Sequence, residues 1–421
     1  MDLAWISVGA LVIAVTLSMA TTINVGIVCL ASAWIVGVLL GGMSVGDLLD
    51  GFPTGLFVTL AGVTLLFSMA RGNGTLERVT ERAVRLCRGH TGILPIMFFF
   101  LALGLSTIGP GSIGATALLA PPAMAVAHKT GISFFLMAVM VGNGALAGSL
   151  SPFSPTGVVA NGVMDRMGFP GLEWITFRNN ILGHTLVAFG GYFALGGLKL
   201  FARRDTGAAG AAVEQPVQPM EPRHYLTLTL ITLLLIGVIG FELEVGMTAI
   251  TAATILTFAR AADEKEAIKT MPWGVMLMVT GVTVLISLME KTQGLSLFTD
   301  LLVRLSTTES VTAVVAFVTG VVSVYSSTSG VVLPAFLPTV PGLVERLGGL
   351  DPIAVASAMN VGSHLVDLSP LSTTGALCMA GVPAGVDPQG LFNKLLYWGL
   401  SMTVIGAVVC WLMFSWTTWF V

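Results

Sequence analysis

Two stretches of this chain repeat almost the same words: "LSPFSPTG", Leu150 to Gly157, and "LSPLSTTG", Leu368 to Gly375. Each lies inside an apolar run that otherwise reads as a membrane-crossing helix. Proline removes a backbone donor and clashes with the preceding turn, so a helix must break there. In lipid each unpaired N–H or C=O costs several kcal/mol, and a break persists only inside protein or beside a wet cavity. A helix broken at mid-depth presents two new ends. Its N-terminal end offers N–H donors and a positive dipole, suited to a carboxylate; its C-terminal end offers carbonyl oxygens, suited to Na+. Ser and Thr hydroxyls can serve either.

Two further segments, "STIGPGSIG" at Ser106 and "SVYSSTSG" at Ser323, read as polar, Gly-rich tips between apolar arms. The first half-site read from these motifs comprises Ser106, Thr107, Gly109, Gly111 and Ser112 of a tip, with Asn143, Ser149, Ser151, Ser154, Thr156 and Gly157 around a break. The second comprises Ser326, Ser327, Thr328, Ser329 and Gly330, with Asn360, Ser363, Asp367, Ser369, Ser372, Thr373, Thr374 and Gly375. The plain alternative for any one hydroxyl or glycine is close packing of membrane helices. That alternative does not explain why whole motifs recur.

The halves differ at one informative place. Aligning "SLSP" with "DLSP" sets Ser149 opposite Asp367. An acid at this depth is costly and marks function. Asp367 could ligate Na+, carry a coupling proton, or pair with His364, one helical turn away. Asp367 and His364 are therefore the coupling candidates. His184, in a later apolar run, reads as a packing or interface residue. No fixed cation stands at mid-depth, so an anion would rest on helix ends, hydroxyls and a co-bound cation.

The elements that position these residues follow from composition. Of 421 residues, 55% are hydrophobic and only 10% charged. Soluble domains carry about 25% charged residues. Apolar runs of about 20 residues recur along the whole length, each able to cross a hydrocarbon core. The chain reads as an all-α polytopic membrane protein. Nothing suggests nucleic acid: no basic stripe runs beside aromatic residues. Cys29, Cys87, Cys378 and Cys410 have neither metal spacing nor a disulfide framework. No transition metal and no organic cofactor is implied. The start "MD" lacks a basic region, so the first apolar run reads as a retained span, though "SMA" at Ser18 faintly resembles a cleavage site. H-E-x-x-H and P-loop motifs are absent, which argues against an enzyme.

"RRDTGAAGAAVEQPVQPMEPRH" is small, polar and Pro-rich, and reads as a linker over residues 203–224. The segments on either side match in order, at a spacing of about 218 residues. "GVTLLFSM" at Gly62 echoes "GVTVLISL" at Gly281; the amphipathic "LERVTERAVRL" echoes "LSLFTDLLVRL"; the tips and the breaks follow. The expected organisation is an N-terminal repeat, 1–202, and a C-terminal repeat, 225–421. Hairpins are expected near 92–127 and 310–346, and broken helices near 131–165 and 352–381. Each repeat then holds about five transmembrane spans plus one re-entrant hairpin, an odd number of crossings, so the two repeats are inverted. Basic residues agree with a cytoplasmic linker and termini outside: Arg71, Arg78, Arg82, Arg85 and Arg88, then His128 and Lys129, Lys199, Arg203 and Arg204, and Arg260, Lys265 and Lys269. "LERVTERAVRLCR", Leu76 to Arg88, reads as an interfacial helix. The aromatic tail "WLMFSWTTWFV" reads as an interface belt.

The run "GFPTGLFVTLAGVTLLFSMARGNGTLERVTERAVRLCRGHTGILPIMFFF" resembles the N-terminal domain of MatC-type dicarboxylate (malonate) carriers, a similarity covering about residues 1–150. The two Ser-Pro-x-Ser-x-Thr-Gly motifs and paired hairpins resemble the wider ion transporter superfamily, including the divalent-anion:sodium symporters. In those symporters a Ser-Asn-Thr motif at each tip binds carboxylate and Na+; here the tips read "STIGPGS" and "SSTSG" instead. The resemblance implies a bacterial inner-membrane secondary transporter of a small organic anion, a dicarboxylate such as malonate, malate or succinate. It implies coupling to Na+ or H+, an elevator movement and a homodimer in the lipid bilayer. Two alternatives stay open: the large permease subunit of a binding-protein-dependent tripartite transporter, and an inorganic-ion exchanger of the same superfamily.

Overall fold

The computed structural model describes residues 2–21, 23–86, 91–201, 218–383, 386–387 and 389–415. Most of the expected linker, the aromatic tail beyond residue 415, Cys87 and Arg88 lie outside the described residues. Among the described residues all regular structure is helical. Five stretches are long and apolar enough to cross a membrane: Thr54–Gly72, Pro222–Phe241, Trp273–Lys291, Thr328–Leu347 and Gln389–Ser415. Shorter apolar helices stand beside them. The chain is a multi-pass, all-helical membrane protein.

The first half begins with α1 (Leu3–Ala20) and α2 (Val25–Trp34), the latter continued by a π-helical turn, Ile35–Leu40. A short α3 (Val45–Leu49) leads to α4 (Thr54–Gly72) and α5 (Thr75–Leu86). The hairpin is α6 (Leu94–Ile108) and α7 (Gly111–Thr130). The broken helix is α8 (Phe134–Gly148) and α9 (Pro155–Arg166). Then come α10 (Glu173–Ala194) and α11 (Gly197–Phe201).

The second half opens with α12 (Pro222–Phe241), α13 (Val245–Phe258), short α14 (Glu264–Thr270), α15 (Trp273–Lys291) and α16 (Gly294–Arg304). Its hairpin descends as α17 (Val311–Tyr325). It returns through a π-helical turn (Thr328–Val332), α18 (Leu333–Phe336), a 3₁₀ turn (Leu337–Thr339) and α19 (Val340–Leu347). Pro334, Pro338 and Pro341 explain why this arm is irregular. The second broken helix is α20 (Pro352–Leu365), a 3₁₀ turn (Val366–Leu368) and α21 (Thr373–Ala380); α22 (Gln389–Ser415) closes the chain.

Glycines fix how the halves meet. A Cβ on Gly281 of α15 would stand 2.1 Å from the carbonyl oxygen of Gly26 on α2. A Cβ on Gly62 of α4 would stand 2.3 Å from the carbonyl oxygen of Gly246 on α13. Backbone therefore rests on backbone at two crossings, as small residues permit between membrane helices. The caps beside these crossings also reach across: Asn24, N-cap of α2, donates to Gly274 O at 2.8 Å, and Glu244, N-cap of α13, accepts from Thr59 at 2.9 Å. Each crossing joins a helix of one half to a helix of the other.

The amphipathic α5 has Leu76 and Thr80 buried. Arg78 pairs with Glu81 at 3.2 Å and also reaches Gln218, the residue at which the described chain resumes. Asn73, in the turn before α5, donates to Thr227 (2.8 Å) and Ala261 O (3.1 Å). The His224 ring accepts from the Glu221 N–H at Nδ1, so its Nε2–H donates to Asn73 O at 3.0 Å. These bonds clamp the start of α12 to the α4–α5 turn.

Candidate functional site

In the first half the helix stops at Gly148 and restarts at Pro155. Ser154 caps the restart: its Oγ accepts from the Gly157 N–H at 3.2 Å and donates to Ser149 O. Gly157 must be glycine, since a Cβ there would lie 1.9 Å from Ser151 O. The second half is built alike. Ser372 caps α21, accepting from Gly375 N–H at 3.4 Å and donating to Asp367 O. A Cβ on Gly375 would lie 2.0 Å from Ser369 O. The repeated Ser-x-x-Gly spacing thus serves an N-cap in both places.

Each break meets its hairpin tip. Ser151 Oγ donates to Thr107 O at 2.7 Å. Gly109 and Gly111 have φ of 146° and 66°, backbone that side chains rarely tolerate, and a Cβ on Gly109 would strike the Phe67 ring at 1.9 Å. In the second half Ser327 caps the returning arm through Gly330 N–H at 3.1 Å. Thr328 Oγ1 lies 2.7 and 2.8 Å from the two Asp367 carboxylate oxygens, and Ser323 Oγ lies 3.3 Å from Oδ1 and close to Thr328 Oγ1. Asp367 therefore joins broken helix to hairpin tip through hydroxyls. The His364–Asp367 pairing considered from the sequence is not formed: His364 Nδ1 donates to Asn360 O at 2.7 Å, while Asp367, past the end of α20 in the 3₁₀ turn, takes its partners from the hairpin.

A cavity of about 640 Å³ collects part of this set. It is lined by Gly109, Gly111 and Ser112 of the first tip, Pro155 and Thr156 at the start of α9, and Ser329 of the second tip. Thr64, Phe67, Ser68 and Arg71 of α4 line it too, as do the exposed Asp263 and Glu266. Three helical starts face one space: those of α7, α9 and the arm from Thr328. A second cavity, about 540 Å³, is lined by Thr283, Ile286, Ser287 and Glu290 of α15, with Val163 and Arg166 of α9. These α15 residues occupy the positions that Thr64, Phe67, Ser68 and Arg71 hold in the matching sequence of α4. The two cavities lie at opposite ends of α9.

Several sequence-derived candidates do not reach the cavity. Asn143, Ser149, Ser151, Ser154, Asn360, Ser363 and Ser369 are buried within the protein. Ser149 donates to Leu146 O (2.7 Å) and Ser363 to Met359 O (2.7 Å), so these hydroxyls satisfy backbone. Thr107 likewise bonds to Leu103 O, while Ser106, Ser326 and Asn360 have buried polar side-chain atoms without a protein partner. Thr374 is buried and Thr373 exposed at the start of α21, off the cavity.

His184 is no interface residue: it is fully buried, and its Nδ1 donates to Asn143 Oδ1 at 3.0 Å. Its neighbours on α10 escaped the sequence reading. Asn180 Nδ2 donates to Leu146 O (2.8 Å) and Ala147 O (3.0 Å), in the last turn of α8, and Asn179 donates to Ser357 at 2.9 Å. The signal was present in "RNNILGH", three polar types in one span. Among the described residues no group of three His, Cys, Asp or Glu comes together.

Residues 1–149 match a family model described as the dicarboxylate carrier protein MatC N-terminus. No curated protein matches the chain in sequence. Among solved structures, the Alcanivorax borkumensis YdaH transporter, reported to have an unusual topology, aligns with a TM-score of 0.58 at 16% identity, over 88% of this chain and 88% of that one. At that identity the likeness is one of fold. The resemblance carried by "GFPTGLFVTLAGVTLLFSM" and the residues around it is thereby borne out: residues 1–149 are similar to the N-terminus of MatC dicarboxylate carriers.

Proposed function

We propose that this protein is a secondary active transporter of a small organic anion, a dicarboxylate such as malonate, malate or succinate, coupled to Na+ or H+. The observation that carries this reading is that residues at three helical starts, Gly111 of α7, Pro155 and Thr156 of α9, and Ser329 of the arm from Thr328, line one cavity of about 640 Å³. Helix N-termini hold anions with backbone N–H groups and dipole, without a fixed cation at mid-depth. A carboxylate at each end of a short dianion would find one such start. The MatC match and the YdaH fold support the same class.

The paired contacts Gly26–Gly281 and Gly62–Gly246 support a relation of inverted repeats, since each half offers the other the same kind of helix crossing. The two cavities at opposite ends of α9 support alternating access by an elevator-like shift of hairpins and broken helices. The cluster Arg71, Arg78 and Arg82 favours the cavity's mouth facing the cytoplasm of a bacterial inner membrane, with the termini outside. A homodimer is part of the proposal.

The test is protection of an introduced thiol. Ser329→Cys, on a Cys87→Ser background, is labelled with a water-soluble maleimide. Malonate or succinate is expected to slow labelling. Equal labelling rates with and without every dicarboxylate tried would remove the cavity from consideration as the substrate site.

A further inference from the structure

A third cavity, about 830 Å³, takes no part in the reading above. It lies where three connections meet: the α7–α8 turn, the α10–α11 turn and the first turns of α22. Its charge separates it from the other two. The 640 Å³ cavity sets Arg71 against Asp263 and Glu266, and the 540 Å³ cavity sets Arg166 and Arg346 against Asp50, Glu290 and Glu345. Here Lys199 and Lys394 stand with Asp387 as the lone acid of the lining, and His128 lies beside them. Asp387 is already engaged, since its Oδ1 accepts from the Gln389 N–H at 2.9 Å, at the start of α22. Both lysines are exposed, and neither ammonium has an ion pair or hydrogen bond among the described residues. A concave surface with an excess of cations concentrates an anion.

The rest of the lining is apolar. Phe193 and Leu195 are large and exposed, and the Phe134 ring stacks on His128 with centroids 6.1 Å apart and planes 7° from parallel. A small hydrated anion gains nothing from such surface, whereas an amphiphile gains by covering it. The position suits an amphiphile too. The 27 residues of α22 extend about 40 Å at 1.5 Å per residue, more than a hydrocarbon core of about 30 Å. Lys394, within its first two turns, therefore stands at the level of lipid headgroups. There a lysine stem lies along apolar surface while its ammonium reaches phosphate.

We propose that this cavity binds one anionic glycerophospholipid, its phosphate held by Lys199 and Lys394 and its acyl chains lying along Phe193 and Leu195. Residues of both halves line the site, so the bound lipid fastens the α7–α8 turn of the first half to the start of α22 in the second. The inference needs only that the chain sits in a bilayer, and it stands apart from the substrate and the coupling ion.

The experiment titrates the purified full chain in detergent with dioleoyl phosphatidylglycerol or dioleoyl phosphatidylcholine. It reads the thermal midpoint, and native mass spectrometry counts the lipid retained. Phosphatidylglycerol is expected to raise the midpoint and to leave one molecule bound; phosphatidylcholine is expected to do neither. The pair Lys199→Gln with Lys394→Gln, both on the surface, should stay monodisperse and weaken phosphatidylglycerol binding about tenfold or more. Lys199→Arg with Lys394→Arg should keep it. Lys129→Gln with Lys265→Gln removes the same charge outside the cavity lining and should leave binding unchanged. Equal effects of the two lipids overturn the proposal. So does phosphatidylglycerol binding that survives the Lys199 and Lys394 glutamines, or that the Lys129 and Lys265 pair weakens as much. A midpoint raised equally by glycerol 3-phosphate would make the cavity a small-anion site and overturn it as well.

Discussion

The carbonyl oxygen of Gly26 stands where a side chain on Gly281 would have to begin, 2.1 Å from the position of its Cβ. Gly62 and Gly246 stand in the same relation at the other crossing, with 2.3 Å. The halves are joined by backbone contact twice over. Gly281→Val must push α2 and α15 apart, and neither backbone can yield locally. The expected cost is about 1–3 kcal/mol or more, read as a fall in the thermal midpoint of the purified protein. Gly55→Val, with open space at its Cβ, is the control and should change the midpoint little.

The two serine caps should behave as a pair. Ser154→Ala and Ser372→Ala each remove an N-cap from a half-helix that starts inside the protein. A lost cap costs about 0.5–2 kcal/mol. Both variants are expected to insert and fold with a lowered thermal midpoint. Ser154→Thr, which keeps the hydroxyl, should retain more of the stability in the first half than alanine does.

Thr328→Val removes the hydroxyl nearest both Asp367 carboxylate oxygens. An acid left in place with its principal donor gone costs about 1–3 kcal/mol. Uptake is expected to fall about tenfold, and Thr328→Ser should recover most of it. Recovery equal to that of Val would mean that the methyl group, not the hydroxyl, matters there.

Gly109→Ala should be more damaging than its small size suggests. The added carbon meets the Phe67 ring at 1.9 Å, and φ of 146° is unfavourable for alanine. Both the first tip and the wall of the cavity would shift. A paired substitution, Gly109→Ala with Phe67→Ala, relieves the clash but not the backbone strain, so only partial recovery of uptake is expected.

Much of the site was legible because its chemistry is local. "SPFSPTG" and "SPLSTTG" dictate a break, and both breaks formed, with Ser154 and Ser372 serving as N-caps rather than as the ligands expected of them. What sequence could not supply was direction. Ser149, Ser154 and Ser363 were read as ligands, yet their hydroxyls face backbone carbonyls at the breaks. Whether a serine caps or binds depends on which acceptor is nearest in space. Asn180 was missed for the opposite reason: its partners, Leu146 O and Ala147 O, belong to another helix. Asp367 was singled out as the exceptional acid, with its partner sought on its own helix at His364; the partner stands on the hairpin at Thr328.

The most direct measurement is uptake of labelled malonate and succinate into proteoliposomes containing only this protein, under an imposed Na+ gradient or an imposed pH gradient. Uptake above the protein-free control, driven by one gradient and lost in Thr328→Val, is the expected result. No uptake of either acid under either gradient, from protein that is folded and inserted, would contradict a stand-alone dicarboxylate carrier.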